Sequence, residues 1–377
     1  MCAEETKQQS HQAKTQSNPV DMVAFAREAT IRDQAGIYAG TTKVIAPAKV
    51  NLFLGVGEKR ADGYHAVTNT MHTLMLHDVL YLRVKQVDPI AAQAEEDQLR
   101  AQAEGEGAAA QEAQQQLAER ERAAKEGLPL VRVVTFGCEG VEPPAISSWQ
   151  NLAYKAVMEL ARETGNGAGQ AIDIRIEKHI PFQAGLGGGS SDAAAALAGA
   201  AKLWGIQPDS PVLGKVAARL GADVAFFLHG GCAQFGGVGE VFERALVPAK
   251  NSVVLIKPEG GLSTARIYES FDSTPYLPSE ETLQQALGAE EAAGVPPFNG
   301  LQRAAEEAMP ELEAVRTWAM AQPGARTALL CGSGSCTYVE CESFESACSL
   351  AAAAMAKGWW ARSTAFANLR AAVVPKN

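Results

Sequence analysis

The sequence predicts an α+β fold divided into two domains, on the strength of three observations. The chain has 377 residues, 47% of them hydrophobic, which is enough for a sizeable core and, by length, favours two domains. Segments with alternating apolar residues and segments with helical composition follow one another along most of the chain. One such strand and one such helix enclose a loop with four glycines within five positions. We expect the rest of the first domain to be organised around this loop.

The segment 181–196, PFQAGLGGGSSDAAAA, contains that loop and the start of its helix. Before it, isoleucines alternate with polar residues over 172–177, which predicts a half-buried strand. After it, an alanine-rich run predicts a helix with Ser190, Ser191 or Asp192 as its N-cap. Glycines let a ligand approach bare N–H groups, and a helix N-terminus adds unpaired donors and partial positive charge. Together these features predict a site for an anion, most often phosphate.

Two common phosphate-binding loops do not fit this segment. A Walker A loop has a lysine directly after its glycines, and none follows here. A Rossmann loop needs a strand after its helix, whereas residues 211–223 are helical in composition. A flexible turn is the plain alternative, although such turns seldom join a clean strand to a capped helix.

The stretch 43–58 predicts a strand region in which Lys49 and Asn51, two positions apart, share one face. A turn motif, RADG, follows it and precedes Tyr64 and His65. The apolar residues after this turn predict one or two further strands. The first domain is therefore expected to begin with strands, one of which carries Lys49 and Asn51 on the same face.

Residues 86–127 change character abruptly, with ten acidic and four basic residues and few apolar residues besides alanine. Such a segment cannot build a core, so we predict an insertion, part helical and part disordered, between two strands. A partner-binding arm is the alternative to a solvated loop. The polar residues 1–40 predict an N-terminal extension that is disordered or docked as one helix.

Beyond the insertion, a strand is predicted over 130–137, and a helix that starts at Asn151 and runs to Glu163 precedes the glycine loop. The Gly-rich stretch 220–239 places Asp223 at the start of a strand or loop. A domain boundary is predicted near 247–252. After it, strands and helices form a second α+β domain, with a loop over 277–298.

Composition argues against several classes of function. The net charge of −10 disfavours nucleic acid as a partner. No apolar run is long enough to cross a membrane, and the polar N-terminus lacks the apolar core of a secretory signal, so the cytoplasm is expected. The seven cysteines include no C-x-x-C pair and are not spaced for zinc, which predicts buried thiols rather than a metal site or disulfides. The sequence does not indicate the oligomeric state of the protein.

Lys49 and Asp223 are the candidates for phosphoryl-transfer chemistry. This reaction needs the phosphates held, their charge neutralised and a hydroxyl placed in line. Asp223 precedes an apolar run, where a charge is costly unless it is paired, and Lys49 lies in an otherwise apolar strand. An exposed lysine at a strand edge and an aspartate that caps a helix or turn are the plain alternatives.

The run PFQAGLGGGSSDAA resembles the ATP-binding loop of the GHMP kinases, a family of small-molecule kinases. Three segments similar to that family occur in order: PAKVNLFLGVGEKRADGYH, the glycine loop and LGADVAFFLHGG. The resemblance covers residues 43–85 and 130–375. It implies the two-domain GHMP kinase fold. The implied domains are a ribosomal-protein-S5-like α/β domain over 41–248 and a ferredoxin-like α+β domain over 249–377.

The resemblance also implies roles for individual residues. Lys49 and Asp223 match the catalytic pair, with Asp223 as the base toward the substrate hydroxyl and Lys49 as its electrostatic partner. Asn51, Tyr64 and His65 match the pocket for a cytidine diphosphate substrate, where an aromatic face can stack on cytosine. The residues that match the ATP-binding loop are Pro181, Phe182, Gln183, Ala184, Gly185, Leu186, Gly187, Gly188, Gly189, Ser190 and Ser191.

The RADGYH run resembles the branch of this family that phosphorylates the 2-hydroxyl of a cytidine-diphosphate-linked methylerythritol, in the non-mevalonate route to isopentenyl diphosphate. ATP and Mg²⁺ are the implied cofactors, and the metal ligands stay unassigned. Two alternatives are another GHMP kinase, of the homoserine or mevalonate type, and a nucleotide-binding protein without turnover. Two segments depart from the family pattern: GSGSC at 332–336, usually GTGAC, and FNGLQ at 298–302, whose role is open.

Overall fold

The computed structural model describes residues 40–61, 63–143 and 145–375. All but the last residue of the predicted N-terminal extension lies outside the described residues. Within those ranges, the chain forms twelve strands. They are β1 (Thr42–Lys59), β2 (His65–Gln86), β3 (Leu130–Gly137), β4 (Gln170–Lys178), β5 (Cys232–Gly236), β6 (Val241–Leu246), β7 (Ser252–Lys257), β8 (Phe298–Asn299), β9 (Ala325–Leu330), β10 (Thr337–Cys341), β11 (Trp360–Ala365) and β12 (Ala372–Val373).

Eleven α-helices lie between these strands in the same described ranges. They are α1 (Pro89–Ala103), α2 (Ala108–Lys125), α3 (Leu152–Thr164), α4 (Gly188–Leu203), α5 (Pro211–Leu220), α6 (Ala222–His229), α7 (Thr264–Ser273), α8 (Glu280–Gly288), α9 (Gln302–Ala308), α10 (Glu311–Met320) and α11 (Phe344–Ala356). None of the described helices has the length and apolar character needed to cross a membrane.

The first sheet is built around the long antiparallel pair β1 and β2, and its order is β12-β1-β2-β4-β3. Strand β5 pairs with both β2 and β6, and β8 pairs with β1. Residues 46–56 of β1 are all buried because both faces of the strand are covered. Val44 and Ala46 pack with the helices of the first core, whereas Val50 and Phe53 pack with residues of the second sheet. Lys49 therefore lies in the middle of a buried strand.

The helix after the glycine loop begins earlier than the sequence predicted. Helix α4 starts at Gly188 with Gly187 as its N-cap, so the prediction of Ser190, Ser191 or Asp192 as the cap is wrong. The left-handed Gly187, with φ of +71°, lets the loop turn directly into the helix. Ser191 and Asp192 are instead buried within its first turns.

Asp223 also lies in a different element from the one predicted. It is in the first turn of helix α6, so the prediction of a strand or loop is wrong. The apolar run after Asp223 is only a few residues long, and periodicity cannot separate a buried helix from a strand over so short a span. The helix ends at His229, whose ring stacks on Phe242 at 4.3 Å between centroids.

The second sheet has the order β11-β7-β10-β9 and is antiparallel throughout. Helices α10 and α11 cover it through the core that contains Val315 and Leu350. The loop predicted over 277–298 is wrong in part, because it contains helix α8. Ser279 starts that helix by accepting a hydrogen bond from the N–H of Thr282 at 3.1 Å.

The acidic insertion forms a helical hairpin of α1 and α2. The structure describes residues 86–127 throughout, so the predicted disordered part is not found. Small alanines of α2 and Leu99 of α1 are buried, which gives the hairpin a small core. Glu95 also pairs with Arg120, at 2.9 Å, and with Arg132 of β3. These contacts hold the hairpin on the first sheet.

Two strands from beyond the predicted domain boundary at 248–249 return to the first sheet. Strand β8 pairs with β1 at Phe53 and Phe298, and β12 pairs with β1 at Val44 and Val373. From Thr42 onward the chain forms one compact unit. The boundary itself lies between β6 and β7 and stays a prediction.

Candidate active site

The glycine loop runs from the end of β4 to the start of α4 and passes close to other backbone. Gly185 has φ of +73°, and a Cβ atom there would lie 1.8 Å from the carbonyl oxygen of Cys331. A Cβ at Gly187 would lie 2.7 Å from the ring of Phe227 and 3.1 Å from Cγ of Lys49. Both positions therefore require glycine, and the loop touches Lys49 directly.

Backbone hydrogen bonds fix this loop on two sides. On one side, the N–H of Lys49 donates to the carbonyl of Leu186 at 3.0 Å. On the other, Ser335 donates to the carbonyl of Gln183 and Cys336 to that of Ala184, each at 3.1 Å. The loop is thus held between β1 and the turn that joins β9 to β10.

The turn that joins β9 to β10, residues 331–336, contains the GSGSC segment and is organised by hydrogen bonds of three polar side chains. Asn299 Nδ2 donates to the carbonyls of Leu330 and Gly332, at 2.8 Å each. Ser333 Oγ lies 2.8 Å from Thr264 Oγ1 at the start of α7. The sequence left the role of the FNGLQ segment open. In the structure its asparagine, Asn299, shapes the turn that lies beside Lys49.

The predicted pair, Lys49 and Asp223, is brought together. Lys49 Nζ lies 3.6 Å from Asp223 Oδ2, with the lysine buried and about a third of the aspartate side chain exposed. Lys49 Nζ also donates to Asn51 Oδ1 at 2.9 Å, and Asn51 Nδ2 donates to Asn69 Oδ1 at 2.8 Å. The amide chain fixes the ammonium group in place. Asp223 is left facing solvent, where a substrate can reach it.

Tyr64 and His65, the other two residues predicted to bind the substrate, differ in exposure. Tyr64 is 66% exposed, whereas His65 is buried. His65 Nδ1 lies 2.9 Å from the carbonyl oxygen of Gly57, and its Nε2 lies 2.8 Å from Asp272 Oδ1. Asn51, by contrast, lies beside Lys49 rather than beside these two residues.

Sequence reasoning missed Tyr268 and Asp272, both on α7. The Tyr268 ring lies 5.6 Å from the His65 ring. Burial, and then the negative charge of Asp223, raise the pKa of the Tyr268 hydroxyl to about 12. Tyr268 therefore stands near both His65 and Asp223 as a neutral phenol. The segment STARIYESFD predicts a helix. Nothing in its sequence indicates that one face of this helix lies against β1.

The thiols carry no chemistry of their own at this site. Cys331 and Cys336 are fully buried, and burial raises the pKa of Cys336 far above its usual range. Cys348 differs from the prediction of buried thiols because it is exposed. Among the described residues, no group of three or more histidine, cysteine, aspartate or glutamate side chains is placed to hold a metal ion.

Two domain models of one family match the chain. The GHMP kinases N terminal domain matches residues 151–231, and the GHMP kinases C terminal domain matches residues 279–358. The first match contains the glycine loop and Asp223. The second contains the turn at 331–336.

Curated relatives match most of the chain. A 4-diphosphocytidyl-2-C-methyl-D-erythritol kinase of Nocardia farcinica is 35% identical over 317 residues, which cover 82% of this chain and 88% of the relative. An enzyme of the same name from Desulfitobacterium hafniense is 32% identical over 303 residues, covering 78% and 86%.

Solved structures of the same fold include one with that name. A 4-(cytidine 5'-diphospho)-2C-methyl-D-erythritol kinase superposes with a TM-score of 0.60 at 28% identity, covering 86% of this chain and 99% of the other. A homoserine kinase from Cytophaga hutchinsonii has a TM-score of 0.56 at 16% identity, covering 89% and 98%. The second likeness is one of fold alone.

Proposed function

Since the chain belongs to the 4-diphosphocytidyl-2-C-methyl-D-erythritol kinases of the GHMP kinase family, we propose that Asp223 and Lys49 carry out its phosphoryl transfer. The reaction is the ATP-dependent phosphorylation of the 2-hydroxyl of 4-diphosphocytidyl-2-C-methyl-D-erythritol. It lies on the non-mevalonate route to isopentenyl diphosphate. One observation supports the assignment above all others: the 3.6 Å contact between Lys49 and Asp223, directly beside the glycine loop.

In the proposed reaction, Asp223 accepts the proton of the substrate hydroxyl. The hydroxyl oxygen forms a bond to the γ-phosphorus of ATP as the bond between that phosphorus and the β,γ-bridging oxygen breaks, and ADP leaves. Lys49 stabilises the negative charge that develops on the attacking oxygen as its proton passes to Asp223. Asn51 and Asn69 keep the ammonium group in place, so little reorganisation is needed during the reaction.

The glycine loop and the start of α4 are the proposed ATP-binding site, over Pro181 to Ser191. Free N–H groups and the helix dipole favour phosphate at this point. Mg²⁺ would neutralise charge on the phosphates, and the described residues form no cage of acidic and histidine side chains for it. This agrees with an ion held mainly by ATP, because Mg²⁺ commonly keeps waters and few protein ligands. Ser191 Oγ, buried and without a hydrogen-bond partner among the described residues, is the candidate protein ligand.

The cytidine part of the substrate is assigned to the turn that carries Tyr64 and His65. The exposed Tyr64 ring offers a face on which cytosine can stack. The His65 side chain is occupied by its contacts with Gly57 and Asp272, so its backbone is the part left to meet the base. Tyr268 of helix α7, whose ring lies 5.6 Å from the His65 ring, borders this side of the site.

The test replaces Asp223 with the isosteric amide in Asp223→Asn. We expect kcat to fall about 10²- to 10⁴-fold because the proton acceptor is lost, with binding of an ATP analogue retained. Turnover near the wild-type rate would overturn the assignment of the base. The wild type is assayed for ATP consumption with the cytidylated substrate, homoserine and mevalonate. Turnover of homoserine or mevalonate in preference would discard the Tyr64 and His65 pocket.

A further inference from the structure

A buried cluster of three ionisable side chains lies under the glycine loop and takes no part in the reaction above. Lys178, the last residue of β4, donates to Asp78 Oδ2 and lies 2.7 Å from Asp192 Oδ2. Asp78 is on β2, and Asp192 is in the early turns of α4. All three side chains are buried, Asp78 completely. Three structural elements therefore meet at one lysine.

The cluster fixes the backbone where the chain enters the loop. Asp78 Oδ1 accepts hydrogen bonds from the N–H groups of His179, at 2.6 Å, and Ile180, at 2.9 Å. These are the two residues directly before Pro181. Because the Asp78 carboxylate accepts hydrogen bonds from two backbone amides and from a lysine, this backbone has little freedom to move.

The same lysine fixes the backbone where the chain leaves the loop. Its contact with Asp192 holds the first turns of α4. Lys178 Nζ also packs against Gly188, where a Cβ atom would lie 3.3 Å from it. Both ends of the glycine loop are thus tied to one buried group, whereas the loop between them is rich in glycine and gains little order from its own side chains.

Charges buried this deeply are costly, and apolar residues of similar size often give equal or greater stability. Burial alone would lower the pKa of Lys178, but Asp192 and Asp78 outweigh it and raise the pKa, so the lysine keeps its charge. The cluster is therefore better explained by the geometry it fixes than by the stability it adds.

We propose that Asp78, Lys178 and Asp192 are positioning residues that hold both ends of the glycine loop in the conformation that binds nucleotide. The inference rests on the proposed function, in which this loop binds ATP.

The deciding variant is Asp192→Ala, which frees the exit of the loop and leaves Lys178 paired with Asp78. Binding of a non-hydrolysable ATP analogue is measured by calorimetry. We expect Kd to rise about tenfold, since small displacements of binding groups have large effects. KM for ATP should rise in parallel, while KM for the alcohol substrate stays the same. Asp192→Asn should recover most of the affinity, because its amide oxygen can still accept from Lys178.

Asp173→Ala is the matched control. Asp173 is an equally buried carboxylate on β4, and its partners Arg83, Lys85 and Arg132 lie on the neighbouring strands rather than at the loop. The Asp173→Ala substitution should lower the thermal stability without changing the affinity for the ATP analogue. Lys178→Met is a less useful variant, because it leaves two buried carboxylates unpaired and we expect it to impair folding.

Each outcome decides the question. If Asp192→Ala unfolds cooperatively and binds the analogue within about twofold of the wild type, the positioning role is wrong. An equal loss of affinity in Asp173→Ala would also overturn it, because the effect would then be one of general stability. If the wild type itself binds no analogue, the proposed function fails, and this inference fails with it.

Discussion

Asp272 Oδ1 lies 2.8 Å from His65 Nε2, and the other oxygen of the same carboxylate lies 2.6 Å from Lys59 Nζ. Lys59 ends β1 and His65 begins β2, so one side chain of α7 holds both sides of the turn between the two strands. Lys59 and then His65 keep the pKa of Asp272 below its usual range. The turn that carries Tyr64 is therefore braced from another element.

Removing this carboxylate should affect the binding of the substrate more than the chemical step. In Asp272→Asn, we expect KM for the cytidylated substrate to rise about fivefold to tenfold because the turn loses its charged anchor. The values of kcat and KM for ATP should change little. Glu163→Gln is the control, since Glu163 pairs with Lys215 and Arg219 elsewhere on the surface. A loss confined to kcat in Asp272→Asn would contradict this role.

Gly185 should tolerate no side chain. Its φ is +73°, and a Cβ atom would collide with the carbonyl of Cys331, so Gly185→Ala must move either the glycine loop or the turn beside it. We expect at least about a hundredfold loss in kcat/KM for ATP. Gly214→Ala is the contrasting change, because Gly214 lies inside α5 with open space around it. That variant should be more stable by about 0.5–1 kcal/mol in a denaturant titration.

His72 should make the fold sensitive to acid. Its Nε2 accepts from the N–H of Ala249 at 2.9 Å, and its Nδ1 lies 2.9 Å from the carbonyl of Thr73, which suits a neutral ring. Burial lowers the pKa of His72 from 6.5 to about 4. The unfolded chain therefore takes up the proton first as pH falls, so the stability is complete above pH 6.5 and decreases toward pH 4. The loss amounts to at most about 3 kcal/mol.

The measurement for His72 is the free energy of unfolding at several pH values between 4 and 7.5. In His72→Gln, whose amide can still accept from Ala249, the slope over this range should become shallower. The two proteins should differ most near neutral pH and least near pH 4. Parallel curves for wild type and variant would exclude His72 as the source of the acid sensitivity.

The helical hairpin of α1 and α2 should be dispensable for catalysis. Deletion of residues 88–126, with a short glycine linker in their place, removes no residue of the candidate site. We expect turnover within about twofold of the wild type. Thermal stability should fall, because Arg132 loses its partner Glu95. A folded deletion variant without turnover would give the hairpin a role in the active site.

The sequence predicted best those features that depend on short-range patterns. Apolar, strand-like segments indicated β1 and β3, alternating residues indicated β4, and Asn151 marked the start of α3, where it accepts from the N–H of Ala153. The family resemblance implied that Lys49 and Asp223 meet, which their distance confirms. Their places in the chain alone carried no such information.

What the sequence did not predict depends on contacts between distant segments. Lys178 and Asp78 look like ordinary polar positions of half-exposed strands, but both are buried in the fold, where Lys178 contacts Asp192 of α4. The start of α4 was misplaced because glycine is a poor helix former, and here the anchoring of the loop outweighs that preference. The disorder predicted within the acidic insertion was wrong because alanine, though weakly apolar, packs closely between two helices.

The pairing of β12 with β1 has a consequence for how the protein is made. Val44 is among the first described residues to leave the ribosome, yet its partner Val373 is translated more than three hundred residues later. The start of the strand that carries Lys49 therefore lacks its partner strand β12 for nearly the whole of synthesis. Contacts so distant in sequence form late and slow the folding reaction. A nascent chain stalled before Ala372 would hold Lys49 on an incomplete sheet, exposed to chaperones and to other nascent chains.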